Sequence, residues 1–151
     1  MTQSTDLVAH VRALAAGQHP GMVQVARGAT GRRGPYPVRH ALDGAGSPLL
    51  LVTADDPVDL ALTAPDSHDV AAVLGIAAPD GSRIWISGWS TRLREPLARR
   101  AALEFAAHRP VADLLDVGQG HALHRMDVAE VRLEHPDGRW IEIDPEAYAE
   151  G

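Results

Sequence analysis

The sequence predicts an α+β protein built on a mainly antiparallel sheet, and three observations carry that expectation. Two Pro-Asp-Gly turns, at Pro79-Asp80-Gly81 and Pro136-Asp137-Gly138, stand between runs of strand length, where they favour tight reversals. The helical patterns are few and set apart from the strands, which argues against an alternating parallel sheet. So many short strands also leave edges to hide, and a curled sheet or small barrel hides them.

Taken in order, Leu7, Val8, Val11, Leu14 and Ala15 recur at helical spacing after the capping run Ser4-Thr5-Asp6, with Gly17 as the stop. Val23 and Val25 then alternate against Gln24 and Ala26, predicting a strand that enters the Gly/Arg-rich connection from Gly28 to Pro35. Tyr36, Val38, His40 and Leu42 share one face of a second strand, with Arg39 and Ala41 on the other, before the turn-rich run Asp43 to Pro48. Leu49 to Val52 is a continuous apolar strand, and Asp55-Asp56-Pro57 opens a short helix reaching about Thr63. The runs Asp69–Ala77 and Arg83–Thr91 flank the first Pro-Asp-Gly turn and are expected to pair as an antiparallel hairpin. Glu95 to His108 carries Leu97, Ala98, Ala101, Ala102 and Phe105 at helical spacing, framed by Pro96 and Pro110, and a further helical turn is expected around Asp113 to Asp116. Strands follow at His121–Val128, Glu130–Glu134 and Trp140–Ile143, then a short tail.

The 151 residues are expected to form one domain, 1–151; 45% are hydrophobic and 23% charged, as in globular proteins. All 14 basic residues are Arg, and Lys, Asn and Cys are absent. That composition excludes a Schiff-base or P-loop lysine, a thiolate nucleophile, a disulfide and an N-glycosylation acceptor. A net charge of -6 opposes a nucleic-acid partner. Neither a signal-like start nor an apolar run approaching a membrane span of about 18 residues is present, so a cytoplasmic location without membrane contact is expected.

Few residues advertise chemistry, and no catalytic residue is assigned. His121 and His124 invite a metal reading, yet on a strand their odd separation sends the rings to opposite faces, so no metal site is expected. His40 shares a face with Val38 and Leu42, where a hydrogen-bonded core histidine is the ordinary outcome. The Gly28 to Gly34 loop reads as a hairpin loop or, more sharply, as an anion cradle through its backbone N–H groups and arginines. Trp85 and Trp89 share a strand face and fill a core, a subunit interface or a stacking site. The Arg92, Arg94, Arg99, Arg100 group, interleaved by Glu95 and Glu104, reads as a solvated helix face. A Gly-x-Ser-x-Gly nucleophile elbow is absent.

The chain resembles the FMN-binding split-barrel family related to pyridoxamine 5'-phosphate oxidase, especially its haem-utilisation branch. The likeness runs over about residues 5–145 and rests on Pro37-Val38-Arg39-His40-Ala41-Leu42, Leu49 to Asp55, Val70 to Ile76, Ile84-Trp85-Ile86-Ser87-Gly88-Trp89 and Leu123-His124-Arg125-Met126-Asp127-Val128. It implies a split β-barrel of mainly antiparallel strands with a few flanking helices. It also implies a homodimer with FMN in a groove between subunits, and possible oxidoreductase chemistry on a small molecule. Arg39 matches the family's strand arginine and Thr53 its strand-end hydroxyl. By the same resemblance His40, Ser67, Trp89 and Arg125 join them as cofactor-contact candidates. Where many relatives place a lysine and serine after that strand, this chain offers only Ser67-His68. The other reading the resemblance leaves open is a non-catalytic dimer that binds haem or a protein and has lost FMN.

Overall fold

A computed structural model describes residues 5–26, 33–63 and 69–151. Helix α1 (Thr5–Ala15) leads into strands β1 (Gly21–Val25), β2 (Tyr36–Leu42) and β3 (Pro48–Thr53), and a short helix α2 (Pro57–Ala61) follows. Strands β4 (Asp69–Ala77) and β5 (Arg83–Arg92) precede helix α3 (Leu97–His108) and a 3-10 turn at Ala112–Asp116. Strand β6 (His121–Glu134), strand β7 (Trp140–Ile143) and helix α4 (Pro145–Glu150) close the sequence.

The sheet order is β3-β2-β1-β4-β5-β6-β7, and a further pairing of β3 with β6 closes β1 to β6 into a barrel. Among the described residues every pairing between these strands is antiparallel, in line with the expected mainly antiparallel sheet, and an isolated bridge between Val117 and His121 is parallel. The β4–β5 hairpin pairs Leu74 with Ile86 across the Pro79-Asp80-Gly81 turn, in the register the alternation predicts. The architecture is thus the expected α+β barrel with flanking helices.

Alternation decides what goes inside. Val23, Ala72, Leu74, Ile76, Ile84, Ile86 and Met126 fill the barrel, joined by Val8, Val11 and Ala15 of α1 and by Ala61 of α2. A second cluster lies outside it, where Ala41, Leu49, Leu51 and Leu123 meet Ala101 and Phe105 of α3. The unbroken apolar run of β3 follows from this, because that strand is buried on both faces.

Three boundaries differ from expectation. The two strands expected at His121–Val128 and Glu130–Glu134 are one strand, bulged where Ser87 faces Glu130 and Gly88 faces Val128, so that Ala129 is the extra residue. A Cβ at position 88 would collide with the Asp127 carbonyl, which is why the bulge sits opposite a glycine. Helix α3 begins at Leu97 rather than Glu95, since Pro96 disfavours helical backbone in the residue before it. The expected tail is a helix: the Asp144 carboxylate accepts from the Glu146 N–H, and Pro145 occupies the first turn. Its Tyr148 is buried and donates to the Gly46 carbonyl at 2.7 Å, while Arg12 donates to the Tyr148 carbonyl at 2.6 Å, tying α4 to α1.

Residues 28–32 of the glycine-rich loop and Ser67 lie outside the described residues. Among the described residues, no helix is long and apolar enough to cross a membrane.

Candidate functional site

On β2, Arg39 faces away from the barrel interior and pairs with Leu51, while Thr53 lies two residues further along the same outward row of β3. Parity and register together therefore bring both residues to one groove of about 270 Å³, which Pro37 lines with them. Asp56 and Val58, at the start of α2, form its other wall.

The charge in this groove is already spoken for. Arg39 Nη1 lies 2.9 Å from Asp113 Oδ2 in the 3-10 turn. Asp113 in turn lies 3.5 Å from His121 Nε2, and His121 Nδ1 lies 3.1 Å from Asp116. One guanidinium thus stands among the carboxylates of Asp56, Asp113 and Asp116, with no lysine in the chain to add charge. A phosphate monoester adds roughly two negative charges and needs two-pronged donors around it. The residues of this groove do not fit such a group.

The remaining candidates lie elsewhere on the chain. His40 is inside the barrel, with Nε2 3.1 Å from the Ala15 carbonyl. Burial pushes its pKa down to about 4, against the raising effect of the Ala15 hydrogen bond and with added repulsion from Arg109 and His19. Arg125 lies beyond the α3 contact, with Nε 3.2 Å from Asp43, within ion-pair distance though out of line for a hydrogen bond. Its Nη2 lies 3.8 Å from Glu104.

Trp89 stands 53% exposed on the outer face of β5. It borders a hollow of about 550 Å³ lined also by Gln24, Arg33, Val73, Gly88 and Glu130. The bulge and the missing side chain at Gly88 create the depth. Trp85 lies on the same strand face, stacked on Trp140 with ring centroids 6.3 Å apart, its indole N–H donating to Glu134 at 3.2 Å. The hollow has the size of a small-ligand site, with an apolar floor and a few polar groups.

The sequence reading overlooked a buried cluster under the groove's α2 wall. His124 Nε2 lies 2.7 Å from Asp59 Oδ1, both side chains being buried. Asp59 Oδ2 also accepts from the Asp55 N–H at 2.9 Å and lies 3.5 Å from Arg92. Burial alone would raise the Asp59 pKa; the hydrogen bonds from His124 and Asp55, with the charge of Arg92, outweigh it and hold the carboxyl below its ordinary range. The only sequence signal was an aspartate inside an otherwise apolar helix, Pro57-Val58-Asp59-Leu60-Ala61.

Comparison with known proteins supplies fold rather than function. No family model and no curated protein matches the sequence. Among solved structures, a haem-binding protein from Mycobacterium smegmatis superposes with a TM-score of 0.77 at 22% identity, covering 99% of this chain and 61% of that one. The chain therefore spans less than two-thirds of that protein's length. The general stress FMN/FAD-binding protein of Xanthomonas citri matches with a TM-score of 0.63 at 12% identity, over 86% of this chain and 89% of the other. A Clostridium acetobutylicum protein related to general stress protein 26, of the pyridoxinephosphate oxidase family, matches with a TM-score of 0.66 at 11% identity, over 93% and 96%. With the closed barrel and register described above, these likenesses establish that the chain has the split-barrel fold shared by haem-binding, flavin-binding and pyridoxinephosphate oxidase-type proteins.

Proposed function

We propose that this protein is a non-catalytic homodimer that binds a flat, largely apolar, acidic ligand of the haem class and does not hold FMN by its phosphate. The observation that carries this reading is the Arg39–Asp113 pair at 2.9 Å in a groove that Asp56 also lines. The alternative seat is the Trp89 hollow, where an indole can stack on a planar ring and Arg33 can meet a carboxylate. Among the described residues no histidine lines that hollow, so those walls would grip a porphyrin by stacking and charge. The haem-binding neighbour lends support from the same fold.

The dimer follows from the same surface. Met22, Trp89 and Trp140 are exposed on strands β1, β5 and β7. A second copy seated there would roof the hollow and needs to bury at least about 1,000 Å² in total to be stable. Light scattering should return twice the chain mass; a monomer mass across a wide concentration range would remove the between-subunit groove.

The flavin reading keeps one observation in its favour, the shared groove of Arg39 and Thr53. Parallel titrations separate the two. Haemin should give a saturable Soret shift, and FMN fluorescence should stay unquenched. Quenching of FMN that Arg39→Ala weakens roughly ten- to a hundred-fold, the worth of a charge-assisted contact, would reverse the assignment.

A further inference from the structure

We propose that a slot on the outer face of the barrel, between Trp85 of β5 and the prolines that precede β1 and β2, binds a small aromatic carboxylate. Register builds it: Met22, Gly75 and Trp85 lie in one row across β1, β4 and β5, and Ala77 and Arg83 lie in the next row on the same face. The glycine between two large side chains leaves a notch in the sheet. A Cβ at position 75 would lie 2.8 Å from the Trp85 ring, so the missing side chain is what lets the indole lean over β4. Pro20 and Pro35 complete the walls around a volume of about 260 Å³. Sites for drug-sized ligands run to roughly 300–1,000 Å³, so this one takes one or two rings. It shares only Gln24 and Val73 with the Trp89 hollow, and its walls come from one chain, so the proposal stands apart from the haem reading.

The aromatic wall is already set. Trp85 stacks on Trp140, and its indole N–H donates to Glu134, so three neighbours fix the ring with Gly75 beneath it. A ring held in place loses little further freedom when a flat ligand meets it. Met22, 40% exposed, offers its thioether to the same ligand.

Charge selects the functional group. Arg83 lines the slot and no carboxylate does. Its cross-strand neighbour Glu134 is engaged by the Trp85 N–H, and among the described residues the Arg83 guanidinium has neither an ion pair nor a hydrogen bond. One guanidinium grips one carboxylate through two parallel bonds, whereas a phosphate monoester brings roughly two charges. A cationic ligand would meet no counter-charge in this lining. Stacking wall and lone cation together fit a single negative charge carried on a flat apolar ring.

The test is an NMR titration of the isotope-labelled full chain with benzoate, its neutral counterpart benzamide, and the non-aromatic cyclohexanecarboxylate. Benzoate should move the Trp85 indole N–H and the Gly75 amide saturably and leave the Trp89 indole N–H in place. It should bind at least about tenfold tighter than benzamide, the worth of one charge-assisted contact, and at least about threefold tighter than cyclohexanecarboxylate, the worth of one aromatic pair. Arg83→Gln should bring benzoate down to the affinity of benzamide and leave benzamide unchanged. Met22→Glu, which sets a negative charge on an exposed side chain of the wall, should weaken benzoate by a similar factor and spare benzamide. Equal affinities for benzoate and either other probe, or an unchanged benzoate affinity in Arg83→Gln, overturn the proposal. So does movement of Trp89 in place of Trp85, which would assign the acid to the other hollow, or no movement at about 10 mM benzoate.

Discussion

His40 and His124 flank Leu50 across adjacent strands, one on β2 and the other on β6, and both are fully buried inside the same barrel. Each uses Nε2 for its one hydrogen bond, and each leaves Nδ1 buried without a partner among the described residues. They differ in what accepts. His40 meets the Ala15 carbonyl, a neutral group, and burial keeps the ring neutral down to about pH 4. His124 meets the ionised Asp59, which also takes the Asp55 N–H and faces Arg92. Burial sets the cost of a polar group, whereas the partner sets what charge the site will tolerate.

The sharpest way to break the comparison is Asp59→Ala. It removes the common acceptor of His124, Arg92 and the Asp55 N–H, and stripping one partner from a buried ionic cluster typically costs about 3–5 kcal/mol. Urea denaturation should show that loss. A change under 1 kcal/mol would mean that solvent reaches the cluster.

Acid should expose the other histidine. A His40 pKa lowered from 6.5 to about 4 means that the unfolded chain takes up a proton before the folded one does. Its contribution is therefore fully present above pH 6.5, declines as pH falls below that value and is lost once pH passes about 4. Between pH 6.5 and 5 the decline should reach about 2 kcal/mol, visible as a falling Tm, and His40→Gln should flatten it. Asp59, with its own depressed pKa, holds its contribution above the ordinary carboxylate range and loses it only at stronger acidity. A wild-type Tm unchanged between pH 6.5 and 5 would contradict the neutral assignment of His40.

The smallest effect should come from the neighbouring histidine of β6. His121 sits between Asp113 and Asp116 near the surface, where ion pairs are worth about 0–1 kcal/mol. His121→Ala should therefore leave stability within about 1 kcal/mol of wild type, in contrast to changes at Asp59. A loss as large as that of Asp59→Ala would place His121 in the core.

Much of this was legible before the fold was known. The β4–β5 hairpin could be read because alternation and the Pro79-Asp80-Gly81 turn agree, and the odd spacing of His121 and His124 did send them to opposite faces. Strand β6 looked like two strands because a bulge shifts the alternation at Ala129, which only the partner strand reveals as an insertion. Helix α4 carried its own signal in Asp144-Pro145-Glu146, but six residues gave too little periodicity to read as a helix. The groove of Arg39 and Thr53 followed from strand parity, whereas Asp113, whose carboxylate pairs with Arg39, comes from a turn some 60 residues after Thr53. The same distance hid Asp59, whose partner lies 65 positions along the chain.

The closing role of β6 bears on how the chain reaches this fold. That one strand supplies the neighbours of β3, β5 and β7, and it starts only at His121. A chain emerging from the ribosome must therefore hold β3 and β5 with unpaired edges until most of its length has been made. Both are rich in apolar residues, Leu49 to Val52 on one and Ile84, Trp85, Ile86 and Trp89 on the other, so the half-built barrel is a template for pairing with another nascent chain. Arrival of β6 ends that exposure at both edges together, making synthesis of its fourteen residues the point at which aggregation and folding part ways.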